Sequence, residues 1–315
     1  MVLPAEPATD IGVAMHIKNT KTITEEKLTI SLRMYADEVS LELDKNRCLK
    51  CDICAAVCPK DSVTIINWGD RLTIDIDETT CVLCEVCAHF CPNGSIVLNQ
   101  NGISKNSLLA NEGLPPFPSK IEIDSGRCPQ GCEISEERES HWCREQKKLI
   151  ESLAAECPKN CHLCIDICPA EGLTKAEGTV RVDAEHCLRC IQCQDQCELG
   201  AISVNHLMIG EIRLEDARCP EDCNKCIDLC PTHAIHREGM RVFVKDRYCI
   251  FCGVCTNICD KEAITLRRKG IEVRGEGACA VWTKALEKLF REAGKSHSPF
   301  ITRKESPTGQ GQVRP

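Results

Sequence analysis

The stretch Cys48-Leu-Lys-Cys51-Asp-Ile-Cys54-Ala-Ala-Val-Cys58-Pro59 places four thiols within eleven residues, spaced C-x2-C-x2-C-x3-C and closed by a proline. The spacing recurs at Cys81, Cys84, Cys87 and Cys91, again followed by a proline. Cys187, Cys190, Cys193, Cys197 and Cys249, Cys252, Cys255, Cys259 keep it but end in Glu198 and Asp260. Two further copies open one residue wider: Cys157, Cys161, Cys164, Cys168 and Cys219, Cys223, Cys226, Cys230, both followed by proline. Six motifs of four use 24 of the 28 cysteines. First cysteines lie 33, 30, 32 and 30 residues apart (48 to 81, 157 to 187, 187 to 219, 219 to 249), which marks an internal repeat.

Cysteine this dense signals either a disulfide or a metal scaffold. The first ten residues lack a basic n-region and an apolar h-region, and no run of 18 apolar residues occurs. A cytoplasmic location is therefore expected, where thiols stay reduced and serve as metal ligands. Structural zinc sites split their ligands into two knuckles a dozen or more residues apart, whereas here all four sit together. Cys157-x3-Cys161-x2-Cys164 and Cys219-x3-Cys223-x2-Cys226 also match the triad of radical S-adenosylmethionine enzymes. Each triad has a ready fourth ligand, however, and no α/β-barrel pattern surrounds it. The spacing is that of [4Fe–4S] ligation. His162, His233 and His236 lie beside complete motifs and read as surface or hydrogen-bonding residues. No nucleotide-binding glycine loop, catalytic acid pair or nucleophile–base arrangement is present, so no catalytic residue is assigned.

Aromatic residues make up only 3% of the chain, which is thin for an ordinary core. The formal net charge is −8. Each cluster with four thiolates adds two negative charges, so six would bring the holoprotein to about −20. Such a body repels nucleic acid and anionic membranes. Residues 261–315 run against this trend, with 12 Lys/Arg and 6 Asp/Glu.

Residues 1–25 show no periodicity and read as an arm. Lys27–Arg33 and Val39–Leu43 alternate apolar with polar and predict short strands. An aspartate stands three or four residues ahead of five motifs: Asp44, Asp77, Asp183, Asp216 and Asp246. Five residues behind every fourth cysteine stands an aliphatic: Val63, Ile96, Leu173, Ile202, Ile235 and Ile264. Strand–turn–strand patterns follow, with turns at Asn67–Asp70, Glu177–Gly178 and Glu238–Gly239. Residues 99–120, rich in glycine and proline, read as a linker. Asp124-Ser-Gly-Arg-Cys128-Pro-Gln-Gly-Cys132 then copies the start of a wide motif, but Ser135 and Glu139 stand where its later cysteines belong. Cys128, Cys132 and Cys143 are a candidate site for a seventh cluster; the alternative is a decayed repeat with relict thiols. Residues 136–156 fit a spacer helix. Val281, Trp282, Ala285, Leu286, Leu289 and Phe290 form an apolar stripe on a helix predicted over Val281–Ala293. It either packs on the last unit or docks on a partner.

These motifs and their flanks, over about residues 41–275, resemble polyferredoxins, arrays of bacterial-type two-cluster ferredoxin domains. The resemblance implies an α+β fold of β-hairpins and short helices repeated three times, with electrons hopping singly between clusters. Pairing 48 with 81, 157 with 187 and 219 with 249 joins each wide motif to a standard one in the last two pairs. In the bacterial type the fourth cysteine crosses to the other cluster. The implied ligand sets are Cys48, Cys51, Cys54 with Cys91, and Cys81, Cys84, Cys87 with Cys58. The second pair gives Cys157, Cys161, Cys164 with Cys197, and Cys187, Cys190, Cys193 with Cys168. The third gives Cys219, Cys223, Cys226 with Cys259, and Cys249, Cys252, Cys255 with Cys230. Leu28-Thr-Ile-Ser-Leu-Arg-Met-Tyr-Ala-Asp-Glu-Val39 and Phe251-Cys-Gly-Val-Cys255 look like the F subunit of formylmethanofuran dehydrogenase of methanogenic archaea. That likeness implies low-potential electron delivery to a tungsten or molybdenum subunit that reduces carbon dioxide, within a permanent hetero-oligomer that also meets an electron-donor protein. Alternatives are a polyferredoxin of a methanogen hydrogenase or heterodisulfide reductase complex, and a free diffusing carrier. The expected layout is arm and strand 1–40, ferredoxin unit I 41–105, linker with degenerate motif and helix 106–156, unit II 157–210, unit III 211–275, and docking helix and tail 276–315.

Overall fold

The computed structural model describes residues 19–124, 163–176, 179–275, 279–291 and 300–303. The motif cysteines nucleate very short helices: α1 (Ile53–Val57), α2 (Val86–Phe90), then, after α3 (Ser107–Ala110), α4 (Leu163–Asp166), α5 (Gln192–Gln196), α6 (Lys225–Asp228) and α7 (Val254–Ile258). None reaches the length at which a helix is stable alone in water, so packing and ligation must hold them.

Strands close each pair of motifs. β1 (Thr20–Ile23), β2 (Lys27–Met34), β3 (Asp37–Asp44), β6 (Ile96–Gln100) and β7 (Ile103–Ser104) form one antiparallel sheet in that order. Its register sets Leu28 opposite Leu43 and Leu41 opposite Leu98, all buried on one face, as the period-two pattern requires. β4 (Val63–Asn67) and β5 (Leu72–Ile76) make the hairpin between the first two motifs, turning at Gly69 with φ +92°. The pattern repeats. β9 (Leu173–Ala176) pairs with β10 (Thr179–Val182), and β13 (Ile235–Glu238) with β14 (Arg241–Val244). The closing ladders are β8 (Ile121–Ile123) with β11 (Ile202–Val204), and β12 (Met208–Leu214) with β15 (Ile264–Val273). β16 (Phe300–Arg303) adds in parallel to β15.

Three stretches differ from the sequence expectation. Thr20–Ile23, inside the expected arm, is a strand. It has no buried alternation to betray it and is held by its ladder and by Lys21 Nζ at 2.6 Å from Asp75 Oδ1. Within the expected linker, β7, α3 and β8 are ordered elements. Asp124 N donates to Ala201 O at 2.8 Å, the bond that Asp44 makes to Ser95 and Glu215 to Ala263. β8 thus closes the second unit from a position ahead of the degenerate motif. The expected spacer helix, the turn at Glu177–Gly178 and His162 lie outside the described residues.

The third difference is the C-terminal helix, α8 (Ala280–Leu289). Its stripe faces this chain, not a partner: Trp282, Ala285, Leu286, Leu289 and Phe290 are all buried. Nor does it sit on the third unit alone. Trp282 stacks on Phe90 of α2 with ring centroids 5.4 Å apart, and Phe117 and His89 complete the aromatic group. Lys288 Nζ bonds Cys58 O and Asp61 Oδ1 at the end of the first motif. A continuous core runs from Ile53, Val57 and Phe90 of the first unit through Val254, Ile258 and Ile271 of the third to this helix. Burial of Leu286, Leu289 and Phe290 contributes about 1.5–3 kcal/mol each.

Replacing Trp282 with alanine should destabilise the chain by about 3–5 kcal/mol and expose the seam between the first and third units. Thermal unfolding and limited proteolysis of the holoprotein measure this. A variant as stable and as resistant as wild type would show that the helix is not integral.

Candidate metal centres

The six turns behind the fourth cysteines build the sites. Three residues after each one, the backbone is left-handed: Asp61 (φ 55°), Gly94 (64°), Glu171 (52°), Gly200 (60°), His233 (48°) and Glu262 (49°). The N–H of that residue bonds the cysteine carbonyl at 3.0–3.4 Å in all six. The turn aims the next N–H at sulfur. Ser62 N reaches Cys58 Sγ at 3.3 Å, Ser95 N reaches Cys91 at 3.2 Å and Gly172 N reaches Cys168 at 3.3 Å. Ala234 N reaches Cys230 at 3.3 Å and Ala263 N reaches Cys259 at 3.4 Å. The carbonyl of the same residue accepts from the residue that opens the other motif. Ser95 O takes Asp44 N and Ser62 O takes Asp77 N; Gly172 O takes Asp183 N, Ala234 O takes Lys245 N and Ala263 O takes Glu215 N. Five fourth cysteines are thereby tied to the start of the opposite motif, whereas behind Cys197 the carbonyl of Ala201 takes Asp124 N, ahead of the degenerate motif. Only two of the six left-handed residues are glycine, so residue type betrays little of these turns, and His233 is a turn residue.

The leading aspartates have a structural role. Asp44 Oδ1 accepts from the backbone N of Asn46 (2.9 Å) and Arg47 (3.1 Å), and Asp183 Oδ1 from Glu185 (2.9 Å) and His186 (3.2 Å). Asp216–Arg218 and Asp246–Tyr248 turn as 3₁₀ segments before Cys219 and Cys249. Asp77 is held below the usual carboxylate range by hydrogen bonds from Thr79 and Thr80. The side chains of Asp44, Asp77 and Asp183 thus satisfy donors of their own turns, and Asp216 Oδ1 accepts from Val242 N. The aliphatics five residues behind each motif are all buried, capping each site with carbon.

Burial pushes the thiols up: Cys190, Cys226 and Cys249 to about 11, and Cys193 and Cys252 to about 12. Besides burial, the repulsion among thiols shows which ones lie together. Cys91 acts on Cys48, Cys51 and Cys54, and Cys58 on Cys81, Cys84 and Cys87. Cys168 acts on Cys190 and Cys193, Cys230 on Cys249, Cys252 and Cys255, and Cys259 on Cys219 and Cys226. Among the described residues, Cys91, Cys58, Cys168, Cys230 and Cys259 thus each stand near cysteines of the opposite motif. In the remaining quartet Cys164 and Cys197 are described; Cys157 and Cys161, like Cys128, Cys132 and Cys143, lie outside the described residues. His236 sits on β13 beside Glu238, with Nε2 at 3.3 Å from Oε1, and approaches no quartet in these contacts.

Among the described residues no three His, Cys, Asp or Glu side chains converge as a single-ion site. A four-iron cluster does not need that, since each thiolate bonds its own iron. The quartets fit such a group: buried sulfurs, backbone donors aimed at them, and an apolar cap. Binding there as thiolate releases the protons that burial otherwise retains. A [4Fe–4S] cluster supplies one-electron exchange; the chain's part is to bind it, exclude water and fix the sulfur hydrogen bonds that set its potential. Two inter-unit contacts touch ligands. Lys120 Nζ bridges Pro92 O (2.6 Å) and Cys187 O (2.8 Å), its pKa lowered to about 8 by burial. Asp52 N donates to Cys252 O at 3.1 Å.

Residues 42–98 match the 4Fe-4S dicluster domain family. The polyferredoxin protein MvhB of Methanothermobacter marburgensis is 31% identical over 99 residues, 27% of this chain and 22% of that protein. A ferredoxin of Methanothermococcus thermolithotrophicus is 36% identical over 47 residues, 15% of this chain and 78% of that protein. The chain spans less than two thirds of the length of several other relatives it matches. One chain of the formate dehydrogenase–heterodisulfide reductase–formylmethanofuran dehydrogenase complex of Methanospirillum hungatei superposes with a TM-score of 0.71 and 26% identity. The match covers 94% of this chain and 97% of that one. Among the described residues no helix is long and apolar enough to cross a membrane.

Changing Cys91 to alanine should damage the cluster at Cys48, Cys51 and Cys54 and spare the one at Cys81, Cys84 and Cys87. Site-resolved electron paramagnetic resonance of the reduced protein distinguishes them, and loss of the latter alone would refute the crossed grouping.

Proposed function

Because the chain belongs to the ferredoxin family and is an iron–sulfur polyferredoxin for electron transfer, we propose that it is the electron-conducting subunit of a formylmethanofuran dehydrogenase system. The observation that carries this reading is the end-to-end likeness to a chain of the Methanospirillum complex, against a partial match to MvhB. In this reading three two-cluster units, at about 41–105, 121–210 and 211–275, hold six [4Fe–4S] clusters. The quartets are Cys48/51/54/91, Cys81/84/87/58, Cys157/161/164/197, Cys187/190/193/168, Cys219/223/226/259 and Cys249/252/255/230. The chain itself does no bond chemistry. It passes low-potential electrons in the cytoplasm between a donor protein and the tungsten or molybdenum subunit that reduces carbon dioxide.

Two measurements test this. Anaerobically purified protein should carry about 24 iron atoms, four per complete motif. About 28 would add a seventh cluster at Cys128, Cys132 and Cys143, and iron near a quarter of the expected amount with zinc present would sink the reading. Because Cys128 follows Asp124 by four residues, as Cys48 follows Asp44, the paired variants C128A/C132A and C157A/C161A should be compared. Loss of about four irons from the second alone supports the quartet as written, and loss from the first alone reassigns it.

Affinity purification of the tagged chain from its source should recover formylmethanofuran dehydrogenase subunits and viologen-linked formylmethanofuran oxidation. Recovery of hydrogenase subunits instead would favour the MvhB-like reading, and elution at its own mass a free carrier.

A further inference from the structure

Where the first and third units meet, two motifs interlock through backbone. Asp52, next to Cys51, donates its N–H to Cys252 O at 3.1 Å. Its carboxylate occupies the space a side chain at 253 would need: a Cβ on Gly253 would lie 2.5 Å from Asp52 Oδ1 and 2.6 Å from Cγ. Gly253 also holds φ +84°, a conformation that favours glycine. Among the four motifs of standard spacing, Asp52 is the exception. The residue after the second cysteine is left-handed at Glu85 (φ 65°), Ile191 (67°) and Gly253 (84°), whereas Asp52 has φ −96° and turns toward the other unit.

Arg268 of β15 fixes the arrangement. Its side chain is buried, with Nη2 on Asp52 Oδ1 and Nε on Phe251 O at 2.9 Å, so one guanidinium grips both motifs. Asn67 Nδ2 to Asn257 O (2.7 Å) and Lys225 Nζ to Gly69 O (2.6 Å) extend the seam on either side. Cys51 and Cys252 are both buried there.

The geometry points to this contact as the electron junction between the first and third units, with Arg268 as its positioning residue and Gly253 as the position that permits the approach. The inference rests on the cluster reading above. Electron tunnelling decays steeply with separation and more slowly through bonded paths than through gaps. From the sulfur of Cys51 the path runs along its own backbone to Asp52 N–H, across one hydrogen bond to Cys252 O, and along Cys252 to its sulfur. One electron crosses, oxidising one cluster by one unit and reducing the other by one; no proton moves and no bond is made. The first and second units meet differently, through the Lys120 side chain on Pro92 O and Cys187 O.

The test uses the full-length holoprotein. A wild-type iron content far below about 24 refutes the cluster reading itself, separately from the junction. With that content met, Gly253→Ala and, independently, Arg268→Lys are compared with wild type. Internal equilibration after pulse-radiolytic reduction, and spin–spin coupling in the fully reduced protein, are recorded. At full iron, exchange between the two units should slow by roughly an order of magnitude and the coupling should weaken in both variants. Wild-type exchange and coupling in either variant at full iron overturns the proposal. Loss of iron from both variants also overturns it, since the contact would then be a clamp required for assembly.

Discussion

One backbone residue, four places beyond each fourth cysteine, ties the protein together. In five of the six motifs its N–H faces that cysteine's sulfur and its C=O holds the strand entering the opposite motif. Backbone amides in a low-dielectric interior must be paired, so neither half of this device is optional. The consequence is mutual dependence: neither motif can take its shape without the other. A left-handed residue immediately before makes the device, and bulky residues such as His233 and Glu262 adopt that conformation at a cost the surrounding bonds offset.

The units join by two different chemistries. The first and third share an apolar core that α8 seals with Trp282 against Phe90. The second keeps its own small core of Leu173, Cys164, Cys193, Ile202 and Val204. It meets the others through polar anchors: Arg47 on Glu185, Gln192 on Thr232 O, and Arg247 on Asp195. Apolar burial is non-directional and strong in sum, whereas such hydrogen bonds add little net stability but fix orientation. The first and third units share one core on this basis, and the second is oriented against them.

Three of the chain's eleven Phe, Trp and Tyr residues meet at one place. His89, Phe90, Phe117 and Trp282 gather where α8 meets the first unit. His89 is buried and its pKa lowered to about 4, so it packs as a neutral ring with Nε2 3.1 Å from Pro115 O. Elsewhere sulfur and small aliphatics do the filling.

The cysteine spacing by itself pointed to the cluster chemistry and the repeat, because ligation geometry is local and tolerates few spacings, and the residues between the motifs pointed to the strand–turn–strand filler. The aliphatics behind each motif and the aspartates ahead of it were also legible, the first as buried caps and the second as turn formers, since both act within a few residues of their own position. What the sequence did not disclose is non-local. β1 carries no buried alternation, β8 closes a unit across more than thirty intervening residues, and the stripe on α8 could not say which surface it covers. An amphipathic face specifies that it must be buried, not against what; only the fold brought Phe90 and Trp282 together. Likewise nothing in Cys51-Asp52 or Cys252-Gly253 announces that the two interlock, because their fit depends on the relative placement of two units, which is decided by the shared core between them.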